Sequence, residues 1–211
     1  AQPGDRVVTV DGPGTVAQVF DGPYPQTEQY QVVLDGGRGG GEYGRVDLLL
    51  IDGVYYFAQD NKTTTELRSA KSLQDLAVAK SYTPVPDGRY PSIQYENGIW
   101  HLWFWTDQQA ATQQFKSASF SGPYTAGEIL PKHLGDIHIR KSKTGQYFAA
   151  YKDLRTGAQL ASGLLTAPSL DGPWHDLGHI FENGRDAWHA GEEADPAFFE
   201  SSGRSYVSFA G

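Results

Sequence analysis

A glycine at a tight turn, followed by a short aromatic or β-branched run, occurs four times along this chain. The runs are Asp52-Gly53-Val54-Tyr55-Tyr56-Phe57, Asn97-Gly98-Ile99-Trp100-His101-Leu102-Trp103, Thr144-Gly145-Gln146-Tyr147-Phe148-Ala149 and Ser202-Gly203-Arg204-Ser205-Tyr206-Val207. Their spacing of about 45 to 58 residues suits a repeat whose unit is a small sheet rather than a single hairpin. A second landmark follows the first three glycines in fixed order: Arg68-Ser69-Ala70, Lys116-Ser117-Ala118 and Leu165-Thr166-Ala167. Ser72-Leu73-Gln74-Asp75-Leu76, Ser121-Gly122-Pro123-Tyr124 and Ser169-Leu170-Asp171-Gly172-Pro173-Trp174 come next. The pattern predicts radial blades, each a four-stranded antiparallel sheet, over residues 47–211. About three and a half blades fit, so the ring is expected to be incomplete in this chain.

Residue types within the repeat agree with that architecture. Ile99-Trp100-His101-Leu102-Trp103-Phe104-Trp105 puts large side chains on both faces of one strand. A one-sided sheet would leave half of them in water, at about 25 cal/mol per Å² of apolar surface, whereas a strand between two blades buries both faces. These tryptophans are therefore read as core, with a sugar-stacking platform as the alternative. An aromatic content of 13%, with 25 glycines and 12 prolines, also favours many short strands and tight turns, hence an all-β chain.

Charge and composition exclude several partners. A formal net charge of -8 and the lack of a basic stripe argue against nucleic acid and against an anionic membrane surface. No apolar run approaches the ~20 residues needed to span a bilayer, so membrane insertion is not expected. The chain has no cysteine, which removes disulfides and thiolate metal sites but leaves the compartment open. Ala1-Gln2-Pro3 fits a mature end left by signal-peptide removal, and equally loss of an initiator Met. An extracellular or particle-surface location is expected.

Residues 1–46 read as a separate small unit. Three alternating runs, Arg6-Val7-Val8-Thr9-Val10, Thr15-Val16-Ala17-Gln18-Val19-Phe20 and Gln29-Tyr30-Gln31-Val32-Val33-Leu34, are broken by Gly and Pro. With Gly4-Asp5-Arg6-Val7 and Gly12-Pro13-Gly14-Thr15-Val16 opening successive strands, the unit resembles SH3-like barrels. Gly36-Gly37-Arg38-Gly39-Gly40-Gly41 is read as a turn or linker, because neither Lys-Ser/Thr nor a helix signal follows, as a phosphate loop would need.

Glu193-Ala194-Asp195-Pro196-Ala197-Phe198-Phe199-Glu200, with the hairpin after it, is similar to the inner hairpin of five-bladed propeller glycosidases of glycoside hydrolase family 43. Pro91-Ser92-Ile93-Gln94-Tyr95-Glu96 and the Gly-Pro-Tyr and Gly-Pro-Trp turns carry the same resemblance. It implies that an Asp-Pro opens the innermost strand of a blade with its carboxylate facing an axial funnel. Asp195-Pro196 matches directly; Tyr90-Pro91 replaces the acid in the second blade; Asp136 fits if the third hairpin turn is one residue longer; Asp47 stands in shifted register. The family's Glu-Gly-Pro acid motif is absent, which leaves Glu192, Glu193 or a residue elsewhere as acid. On this resemblance Asp195, Glu193 and Asp136 are the candidate catalytic carboxylates. His138, Arg89, Tyr90, Trp188 and His189 are candidate substrate contacts, the last two in a polar loop with Arg185 and Asp186.

Glycoside hydrolysis needs one protonated and one ionised carboxyl group across the scissile bond. A carbohydrate-directed propeller working through such a pair is the first reading. The alternative is a non-catalytic surface or assembly protein that binds glycan or protein and is anchored by the N-terminal barrel. The expected partner is a glycan or glycoconjugate, and another chain completing the propeller is a further option. No cofactor and no metal site are expected. His138 could serve an axial structural cation of the kind some such propellers carry, or be a hydrogen-bonded structural residue.

Overall fold

The computed structural model describes residues 6–9, 12–21, 27–34, 46–60, 64–155, 161–180, 194–201 and 204–210. Sixteen strands and one helical turn lie among them: β1 (Arg6–Thr9), β2 (Gly12–Asp21), β3 (Thr27–Leu34), β4 (Val46–Ile51), β5 (Val54–Asp60), β6 (Thr65–Ala70), α1 (Leu73–Leu76), β7 (Gly88–Glu96), β8 (Ile99–Thr106), β9 (Ala111–Ser117), β10 (Thr125–Ile129), β11 (Leu134–Lys141), β12 (Tyr147–Asp153), β13 (Ser162–Ala167), β14 (His175–His179), β15 (Ala194–Ser201) and β16 (Arg204–Ala210). The chain is all-β with antiparallel four-stranded blades. β7 to β10 form one such sheet in chain order, β11 to β14 the next, and β15 pairs with β16. In the first blade β4, β5 and β6 pair in order, and an isolated bridge between Leu67 and Tyr82 stands where a fourth strand would lie.

Turn chemistry sets these hairpins. At Asp52-Gly53 and Asn97-Gly98 both residues have positive φ (49° and 74°, 52° and 81°), the two-residue turn whose twist matches its flanking strands. Each connects its strands directly, with Ile51 facing Val54 and Glu96 facing Ile99. The third hairpin is longer: Lys141 faces Tyr147 across residues 142–146.

Between sheets, the strands pack as the two-faced sequence of β8 requires. Trp100, Leu102 and Phe104 join Leu49, Ala58 and Ile93 in a core between the first two blades. Trp103 points the other way, into a core with Leu134, Ile137, Tyr151 and Leu165 of the third blade. Its ring meets Trp174 edge-on, with centroids 5.7 Å apart at 88°. Trp174 follows the Gly172-Pro173 turn, and Tyr124 follows the equivalent Gly122-Pro123 turn; both X-Pro bonds are cis. The first blade has the helical turn α1 in place of this turn, capped by Ser72, whose Oγ accepts from the Asp75 amide at 3.2 Å.

The N-terminal strands extend the first sheet. β1 to β6 form one ladder in chain order, and β3 meets β4 through Thr27–Ile51, Glu28–Leu50 and Gln29–Leu49. Thus β3 and β4, on either side of the boundary expected at residue 46, are hydrogen-bonded to each other. Limited proteolysis in the glycine-rich stretch at 36–41 should leave the two pieces co-eluting on size exclusion, held by the β3–β4 pairing. Separation into two compact species would instead show an independent N-terminal unit.

Trp103 is fully buried, so Trp103→Ala should destabilise the fold by about 3 to 5 kcal/mol, the cost of deleting a large core aromatic. Val78→Ala, at a side chain 85% exposed, should leave the denaturation midpoint unchanged.

Candidate functional site

The innermost strand of a blade has a neighbour on one edge only, so its other row of backbone groups must be satisfied by side chains or water. Adjacent blades supply those side chains here. Asp47 of β4 accepts from the Ile93 amide at 2.8 Å and from Ser92 Oγ at 3.3 Å, both in β7. The other carboxylate oxygen accepts from the Leu48 amide at 3.0 Å. Gln94 of β7 donates Nε2 to the Ile139 carbonyl of β11 at 3.2 Å, and His138 of β11 accepts at Nδ1 from the Phe198 amide of β15 at 2.8 Å. Because Nδ1 accepts, the neutral His138 ring carries its proton on Nε2. Asp47, Gln94 and His138 thus form a buried polar row along the inner strands.

At the start of the inner strands the ladder slips in the same place in three successive blades. The register shifts between Arg89 and Ser92 in β7, between Gly135 and His138 in β11, and between Ala194 and Ala197 in β15. Such a bulge re-aims the residue it holds. Tyr90 and Asp136 occupy it with left-handed backbone, φ 52° and 49°, a conformation costly for residues other than glycine. Asp195 holds the corresponding place in β15. Asp136 is only 4% exposed. Beside it, Gly135 makes room for its neighbours: a Cβ there would lie 2.5 Å from Leu154 Cδ1 and 2.9 Å from Trp105 Cε3, so one of them would have to shift.

In the second blade Arg89 and Tyr90 stand at the slip. Arg89 lies 4.8 Å from the Tyr90 ring centroid and donates to the phenol oxygen at 2.7 Å. Asp60, at the end of β5, accepts from the Tyr90 amide at 3.0 Å and stands 3.9 Å from Arg89 Nε. Asp107, which also accepts from Trp105 Nε1 at 2.7 Å, lies 4.0 Å from Arg89 Nη1. In the third blade Asp153 is fully buried at the end of β12 and accepts from Arg155 Nη2, Nε and backbone amide, and from His179 Nε2 at 2.9 Å. Burial pushes its carboxyl up, but the Arg155 and His179 hydrogen bonds outweigh that and hold it at about 2.

Of the residues singled out from sequence, Arg89, Tyr90 and Asp136 lie at the strand-start end of β7 and β11. His138 lies beside them, with Nδ1 engaged in bracing β15. Asp195 is described in backbone course only. Glu192, Glu193, Arg185, Asp186, Trp188 and His189 lie outside the described residues. Among the described residues no group of three His, Asp or Glu side chains is placed to hold a metal ion. Sequence reasoning missed Asp60, Asp107 and Asp153, although the repeat alignment carried the signal: each closes, or directly follows, its blade's second strand. It also gave no role to Gln94.

No family model and no curated protein matches the sequence. Solved structures do. An exo-β-1,3-galactanase from Phanerochaete chrysosporium with bound galactose superposes with a TM-score of 0.63 at 12% identity, over 99% of this chain and 60% of that one. A bifunctional GH43-CE protein from Bacteroides eggerthii gives 0.61 at 12% identity, over 99% of this chain and 32% of that one. A thermostable family-43 glycoside hydrolase gives 0.55 at 11% identity, over 90% and 81%. The fold is therefore that of the family-43-like propellers. The chain spans about three fifths of the galactanase's length.

Asp47→Ala removes the acceptor of the Ile93 amide and should cost about 1 to 3 kcal/mol, the penalty for a buried unsatisfied donor. Hydrogen exchange at Ile93 should accelerate with it. Asp153 has a folded-state pKa below its unfolded value, so its contribution to stability is complete above about pH 4 and is lost as pH falls toward 2. Asp153→Asn should flatten that part of the stability profile.

Proposed function

We propose that this chain is a carbohydrate-directed propeller that hydrolyses glycosidic bonds in an axial funnel, with Asp195, Glu193 and Asp136 as its carboxylates. One observation carries the reading: the register slips at the same place in three successive inner strands, and two of the three slips hold an aspartate. On adjacent strands these aspartates suit the paired roles of glycoside hydrolysis, one carboxyl protonated to assist the leaving oxygen and one ionised as base or nucleophile. Glu193, immediately before β15, is the candidate proton donor. Arg89 and Tyr90 would orient the sugar from the second blade, the guanidinium meeting hydroxyl oxygens and the ring an apolar sugar face. His138, and Trp188 and His189 from the preceding loop, complete the proposed contacts. The reading takes the ring as five-bladed, completed beyond the described residues by further sequence or by a partner chain, and places the protein outside the cell or on a particle surface.

A second reading, a glycan-binding protein without hydrolysis, is favoured by Tyr90 at the second-blade slip. That blade offers an arginine–tyrosine pair where the other two offer acids.

The galactanase neighbours make β-1,3-linked galactan the first substrate to assay, followed by arabinan and xylan. Asp195→Asn and Asp136→Asn should each lower kcat by about 10²- to 10⁴-fold, in the range of acid–base contributions, with an unchanged melting curve. Hydrolysis that survives both substitutions would end the enzymatic assignment of these residues. Binding without turnover in the unmodified chain, lost in Arg89→Ala, would establish the second reading.

A further inference from the structure

A groove of about 550 Å³ opens between the second and third blades at the hairpin end of β7 and β8. Its volume lies within the ~300 to 1,000 Å³ of small-molecule sites. Glu96 at the groove and Tyr90 at the funnel stand near opposite ends of β7, about 20 Å apart at ~3.3 Å per residue. The two places are therefore separate.

The groove lining includes a histidine, His101, whose tautomer is set by its neighbours. Gln114 donates Nε2 to the Leu170 carbonyl at 2.9 Å and accepts at Oε1 from the Glu128 amide at 3.4 Å, which fixes its amide. Its second N–H meets His101 Nδ1 at 2.9 Å, so the imidazole proton is on Nε2. Burial lowers the His101 pKa against the raising effect of Asp171, which favours the neutral ring. The His101 side chain is 8% exposed and lines the groove, and among the described residues its Nε2 has no protein partner.

On the rim, Lys116 Nζ lies 3.2 Å from Asp171 Oδ1, both side chains partly exposed. A donor and an acceptor at that separation match two neighbouring hydroxyls. Ile99, Pro123 and Leu170 supply apolar wall. The Asp171 and Glu96 carboxylates oppose an anion, and the Lys116 ammonium opposes a cation.

We propose that this groove binds a short neutral saccharide. Its C–H face lies on Ile99 and Pro123, and its hydroxyls bond to Lys116, Asp171 and His101 Nε2. The site is distinct from the funnel and stands whether or not the funnel is catalytic.

The test is a titration of the full chain, isotopically labelled, followed by amide chemical shifts. The probes are galactobiose, xylobiose, arabinobiose and cellobiose, with inorganic phosphate as a separate arm. At least one disaccharide should saturably shift amides at 97–101, 116–118 and 169–171, while phosphate should not. Lys116→Ala and Asp171→Ala, both at partly exposed side chains, should each weaken that binding by about tenfold with an unchanged melting temperature. Shifts at these amides from phosphate alone, no shift from any disaccharide, or variants that bind as tightly as the unmodified chain would overturn the proposal.

Discussion

The propeller depends on the side-chain hydrogen bonds that join one blade's inner strand to the next. An inner strand has half its backbone groups facing the axis, and leaving a buried amide unpaired costs about 1 to 3 kcal/mol. Asp47, Gln94 and His138 each meet a backbone group of the following blade, so the axial row is polar and buried at once. Outside the row the contacts are apolar, with Trp100 facing one neighbour and Trp103 the other. The axial bonds fix how the blades register, and the aromatic layers supply most of the burial.

This division of labour explains what was legible in the sequence. The hairpin period and the two-faced aromatic strand reveal blades, because turn glycines and large apolar side chains leave strong local patterns. The join between the N-terminal strands and the first blade was not legible. Strands such as Gln29-Tyr30-Gln31-Val32-Val33-Leu34 announce alternation but not their edge partner, and a pairing like Thr27 with Ile51 is decided by tertiary contact alone. The site was legible in part. Tyr90 and Asp136 could be placed by aligning repeats, whereas the use of Asp47 and His138 as inter-blade acceptors follows from packing that no motif records.

Equivalent positions also take different residues for physical reasons. The three register slips are one backbone solution repeated, and the side chain placed there sets each blade's contribution. With an aspartate the slip offers an ionisable oxygen; with Tyr90 it offers a ring and, through Arg89, a fixed positive charge. Asp60 and Asp153 support this end from the second strands of their blades, Asp60 by holding the Tyr90 amide and Asp153 by gathering Arg155 and His179.

A strand apolar on both faces also has a cost during synthesis. Trp103 is covered by Trp174, which leaves the ribosome some 70 residues later, an interval of roughly 4 to 14 s at ~5 to 20 residues per second. Until the strands of the third blade arrive, β8 has the first blade on one side and bare indole on the other, and Trp174 is the last of the core partners to close over it. Nascent chains of this design therefore present a sticky surface that moves outward one blade at a time, and slow translation through the third blade lengthens the period in which a chaperone must guard it.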